Sequence, residues 1–129
     1  VTDAAAELAR FVRGELDPAA FPHREHVRVG FEMLRRYDFA AAAYHCSCGL
    51  RAMAARAGRP EAFHQTTTIA FLSLIAERLA LCAAPADFAA FELANPDLMD
   101  KSVLAHWYQP ERLALAAARR TFLLPERAQ

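Results

Sequence analysis

Apolar residues recur three and four positions apart through most of the chain, as expected of helices that each bury one face. Leu8, Phe11 and Val12 form a first short stripe and predict a helix over about 4–14, with Thr2-Asp3 able to cap it. In a second helix over about 22–36, positions 23, 26, 27, 30 and 34 share a stripe at about 100° per residue. That stripe reads His, His, Val, Gly, Leu, with Phe31 at its border. Asp38 suits the start of a third helix over about 39–57, and Gly58 its end. A fourth is expected over about 60–82, with Pro60 in its first position and Glu61 favourable to the helix dipole.

The C-terminal third carries shorter patterns. Asp87 can cap a segment over 88–94, Asn95-Pro96-Asp97 makes a turn, and Leu98, Met99, Val103 and Leu104 mark another short helix. Trp107 to Leu113 form an aromatic corner into a last helix over about 110–120. The tail Phe122-Leu123-Leu124-Pro125 is apolar enough to lie back on the body. No stretch alternates like a strand. The expected fold is all-α, a compact single-domain bundle of about five to seven helices over residues 1–129.

Composition sharpens this picture. Hydrophobic residues make up 55% of the 129 positions, and four glycines and seven prolines are few breakers. Fifteen basic residues balance fifteen acidic ones, which argues against a nucleic-acid partner. Lys101 is the sole lysine. Three cysteines, Cys46, Cys48 and Cys82, do not make a disulfide framework and suit a reducing, cytoplasmic setting. No apolar run is long enough to span a membrane, and no signal core precedes the first helix.

The candidate chemistry gathers on histidines. Neutral imidazole is the commonest transition-metal ligand, and three histidines around an open position suit catalysis. His23 and His26, at i and i+3, can converge on one ion, and His64 from the fourth helix can supply a third ligand. The ion would be a divalent transition metal such as Zn, Fe, Cu or Ni. Glu61, one turn before His64, could orient that ring or ligate, and Thr68 lies on the same face. A helix-start and polar-network reading of the same residues stands beside this one. His45 is a further candidate ligand and forms an i, i+3 pair with Cys48, the spacing of a cysteine nucleophile and its base. A buried, inert thiol is the plainer reading of Cys48.

The third helix is rich in small residues, with Gly49 among Ala42, Ala43, Cys46, Cys48 and Ala52. They suit either a cavity wall or a close helix contact, within the chain or in a homodimer. Gly30 likewise makes room for a ligand or for a neighbouring helix.

Four motifs occur in order: Phe21-x-His23-x-x-His26-Val27, Phe63-His64-x-Thr66-x-Thr68, Asn95-Pro96-Asp97-Leu98, and Trp107-Tyr108-Gln109-Pro110-Glu111-Arg112-Leu113 with Ala117-x-Arg119. Together they resemble a family of small all-helical bacterial proteins whose reaction is unassigned. The resemblance implies a helical fold and functional positions at His23, His26, His64 and Thr68. Gln65 departs from it, standing where the family carries an acid, as do Phe63 for tyrosine and Gln109 for serine. The leading expectation is a small metal-dependent enzyme acting on a small-molecule substrate. The alternatives are a metal-free ligand-binding or helix-mediated interaction domain, and a cysteine-dependent enzyme using Cys48 and His45.

Overall fold

The computed structural model describes residues 4–126. Seven α-helices and four 3-10 turns occupy them, with no strand among the described residues. The helices are α1 (Ala4–Val12), α2 (His23–Arg36), α3 (Phe39–Arg56), α4 (Gln65–Leu81), α5 (Phe88–Ala94), α6 (Pro110–Leu113) and α7 (Ala116–Arg120). The all-α expectation holds. The proposed cap of α1, Thr2-Asp3, lies outside the described residues.

Local chemistry sets several boundaries. The carboxylates of Asp38 and Asp87 accept the backbone N–H groups of Ala41 and Ala90 at 2.9 Å, capping α3 and α5. Gly58 takes φ +74° just past the end of α3, a left-handed stop that glycine adopts without a Cβ penalty. Gly14, at φ +72°, ends the first segment. There a Cβ would lie 2.6 Å from that of Ala52, so close packing also requires the glycine.

Helix α2 is the centre of the bundle, because its apolar positions serve two cores. Val27 and Phe31 join Leu74, Ile75, Phe88, Phe91 and Leu98 on one side. Val29 and Met33 join Leu8, Phe11, Cys46 and Met53 on the other. Phe31 and Met33 are fully buried, each worth about 1.5–3 kcal/mol of transfer energy. The small residues of α3 serve α1: the phenyl ring of Phe11 lies where a Cβ on Gly49 would be. Gly30 lets α4 approach α2, since its Cβ would meet Ile75 at 3.0 Å and Leu72 at 3.4 Å.

Three expected helices are broken. The short one marked by Leu98, Met99, Val103 and Leu104 is two 3-10 turns, Pro96–Met99 and Lys101–His106, parted by extended Asp100. The fourth helix does not run from Pro60. A 3-10 turn, Pro60–Ala62, gives way to extended Phe63, and α4 starts only at Gln65, with His64 as its N-cap. The last helix is split in two, because Leu115 is extended and starts α7 afresh. The tail does return to the body, held through its backbone. Thr66 donates to the Thr121 carbonyl at 2.8 Å and accepts the Leu123 N–H at 3.1 Å. Tyr108 donates to the Leu123 carbonyl at 2.8 Å.

Candidate functional site

The first turns of α2 and α4 open onto one cavity of about 500 Å³. His23 and His26 line it from α2, and His64, Thr67 and Thr68 from the start of α4. Cys46, Leu50 and Met53 of α3 form another wall, and Lys101, Leu113 and Arg119 come from the C-terminal third. The cavity borders both cores, touching Val27 and Ile75 of one and Phe11, Val29, Met53 and Leu72 of the other.

His64 is anchored at both ring nitrogens. Its Nδ1 accepts the Thr67 N–H at 3.1 Å, which caps α4. Its Nε2 donates to the Leu113 carbonyl at 2.8 Å, tying the start of α4 to the end of α6. Those two bonds fix one neutral tautomer. The threonine run is explained by the same turn. Thr68 and Thr67 donate their hydroxyls to the His64 carbonyl at 2.8 and 3.3 Å, while Thr66 faces the tail. Gln65 belongs to the scaffold, donating to Ser47 and accepting from Arg51, both on α3.

His23 is half-buried, and its Nε2 donates to the Leu98 carbonyl at 3.0 Å. Its ring meets the edge of Phe71 with centroids 4.6 Å apart. Burial holds its pKa below the usual imidazole value, aided by Lys101 and opposed by the Leu98 bond and Asp100. His26 is different in kind. It is exposed and lines the cavity, yet protein crowds round its ring. That crowding, with His23 and Lys101 nearby, pushes its pKa down to about 4, against a weaker pull from Phe21 and Glu25. At neutral pH the cavity wall therefore presents neutral imidazoles at positions 23 and 26, able to donate or accept hydrogen bonds.

The structure brings the three expected histidines and Thr68 to one cavity, where some of their ring nitrogens are engaged in hydrogen bonds. Both nitrogens of His64 are so engaged, and Nε2 of His23. The rings of His23 and His26 have centroids 6.4 Å apart. Two imidazoles bound to one zinc at tetrahedral angles would stand about 5 Å apart by the usual Zn–N distance. Among the described residues, no group of three or more His, Cys, Asp or Glu side chains is arranged to hold a metal ion.

The other candidates stand elsewhere. Glu61 is exposed in the Pro60–Ala62 turn, where its carbonyl accepts from Arg119 at 2.9 Å, and no helical turn aligns its carboxylate with His64. His45 packs against Tyr37 and Tyr44, with centroids 4.7 and 5.6 Å away, and its buried Nδ1 has no hydrogen-bond partner. Cys48 meets the Tyr44 hydroxyl, and that bond raises the tyrosine pKa. Neither His45 nor Cys48 lines the cavity. The cysteine that does is Cys46, whose thiol burial pushes up to about 12, far from a nucleophile's range. Glu25 pairs with Arg24 and Arg28 and does not line the cavity.

Phe71 lines the cavity from the helix face it shares with Thr68, as the periodicity of that helix predicts, whereas Arg59 and Lys101 carry no functional signal of their own in the sequence. Arg119 was visible only as part of the last motif. Each joins the site by tertiary placement. Among the described residues no helix is long and apolar enough to cross a membrane. Comparison with family models, curated proteins and solved structures gives no match.

Proposed function

We propose that this helical domain binds a small organic molecule in the cavity between α2, α3 and α4, with His26 as the polar group that meets it. The observation that carries this reading is that His26, itself exposed, lines a mainly apolar space of about 500 Å³. Phe11, Phe21, Leu50, Met53, Phe71 and Ile75 supply apolar wall, and a few convergent polar groups supply orientation. Small-molecule sites have this make-up and roughly 300–1,000 Å³ of volume. A neutral imidazole suits hydrogen bonding to a ligand without the cost of burying its charge.

Histidines 23 and 64 hold the frame of the pocket. Each ties the first turn of a helix to a carbonyl of the C-terminal third, so the polar wall is rigid before a ligand enters. A catalytic use of His26 as proton acceptor is compatible with this frame, on a substrate small enough for the cavity.

The test is a small-molecule binding screen by ligand-observed NMR on wild type and His26→Phe, with metal content measured on the same preparation. Binding to wild type that the bulkier ring abolishes, with the fold retained, supports the pocket. About one equivalent of tightly held transition metal, lost in His26→Ala, would replace this reading with the metal-centred one.

A further inference from the structure

We infer that the ligand is an amphipathic organic acid, its carboxylate set toward Arg59, Lys101 and Arg119 and its hydrocarbon body among the phenyl and aliphatic side chains. This inference rests on the cavity being a small-molecule site. The chain as a whole is balanced, fifteen basic residues against fifteen acidic. The cavity wall is not. Its charged residues are Arg59, Lys101 and Arg119, and no aspartate or glutamate lines it.

Of the nearby acids, Asp100 acts on His23 and Glu25 on His26 from outside the lining, and their closer partners are other groups. Glu25 and Glu7 hold Arg28, Glu92 holds Arg24, and Asp100 accepts the Ser102 N–H at 2.9 Å. Among the described residues, none of the three wall cations forms an ion pair. All three are exposed, so they hold their charge in water at the edge of an apolar space. Arg119 is steadied by its bond to the Glu61 carbonyl, with its remaining N–H donors unassigned. The positive ends of two helix dipoles, α2 and α4, lie at the same cavity and add to the same sign of field. Lys101 already acts on the cavity histidines, lowering the pKa of both His23 and His26. The class that satisfies both features is one negative group on an apolar body. A phosphate-rich ligand would leave the phenyl wall unused, and an amine would meet like charge.

The experiment compares matched probes that differ only in the head group. Octanoate, octan-1-ol and octylamine form one series; 3-phenylpropanoate, 3-phenylpropan-1-ol and 3-phenylpropylamine form another. Binding to the full chain is measured by titration calorimetry at pH 7.5 and low salt, then at high salt. The expected result is that an acid binds about tenfold more tightly than its alcohol, with the amine weakest, and that salt narrows the gap. Arg59→Gln and Lys101→Gln should each weaken the acid roughly two- to fivefold and leave the alcohol unchanged. Thermal melting confirms that the variants fold. An alcohol that binds as well as its acid, or an acid indifferent to both substitutions, overturns the inference while leaving the pocket standing. If no probe of either series binds, the pocket reading falls, and the inference with it.

Discussion

His64 and Leu113 meet through a single hydrogen bond of 2.8 Å, from ring Nε2 to backbone carbonyl, across 49 positions of sequence. The opposite ring nitrogen caps α4. One side chain thus starts a helix and fastens the C-terminal third to it. His64→Ala removes both functions and should destabilise the protein by about 2 kcal/mol, a lost cap plus a lost partly buried bond. His64→Asn keeps a good cap and should cost about half as much. Urea unfolding of the three proteins measures the difference; equal stability of His64→Ala and wild type would refute the anchoring role.

The histidines of α2 make stability depend on pH. Their folded pKa values lie below the ordinary 6.5, that of His26 at about 4. Between those values the unfolded chain binds more protons than the folded one, so stability rises with pH. The stabilising difference is fully present above 6.5 and is lost as pH falls from 6.5 toward 4. Water in the cavity screens His26, so the loss should be roughly 1 kcal/mol rather than the full linkage value. Urea unfolding at pH 7.5 and 5 measures it, and His26→Gln should flatten the slope. A His26 ring resonance titrating at 6.5 or above would contradict the cause.

The glycines of α2 and α3 are predicted to differ. An alanine methyl at Gly49 runs into the buried ring of Phe11, itself stacked on Phe21 at 5.8 Å. Gly49→Ala should cost about 1–2 kcal/mol after its gain in helix propensity, and should weaken any cavity ligand, because Phe11 must move toward the cavity. At Gly30 the obstacles are the terminal methyls of Ile75 and Leu72, at 3.0 and 3.4 Å. Those can yield, so Gly30→Ala should be within about 1 kcal/mol of wild type. Thermal melts of both variants check the order.

Thr66 holds the tail. It is fully buried and joins the Thr121 carbonyl and the Leu123 N–H through one hydroxyl. Thr66→Val keeps the shape and removes both bonds, and should cost about 1–3 kcal/mol. Limited proteolysis should then cut sooner after Thr121 than in wild type. An unchanged cleavage rate would mean that Tyr108 and Arg112, which also grip the tail carbonyls, suffice.

The sequence by itself determined the helices whose ends are written in local chemistry. Asp38, Asp87 and Gly58 act within a few residues of where they stand, so α3 and α5 were legible, and the spacing of Val27, Gly30 and Phe31 marked α2 as a helix with a packed face. It also marked three histidines that share a cavity. What only the tertiary structure decided depends on partners far along the chain. Nothing between Pro60 and Cys82 breaks a helix; the break at His64 exists because its ring finds both the Thr67 N–H and the Leu113 carbonyl. Those bonds engage both ring nitrogens of His64. The same long-range folding separates Glu61, His45 and Cys48 from the cavity and gathers Arg59, Lys101 and Arg119 at its wall. Periodicity records which face of a helix is buried, whereas the sign of charge around a shared space arises only when distant segments meet.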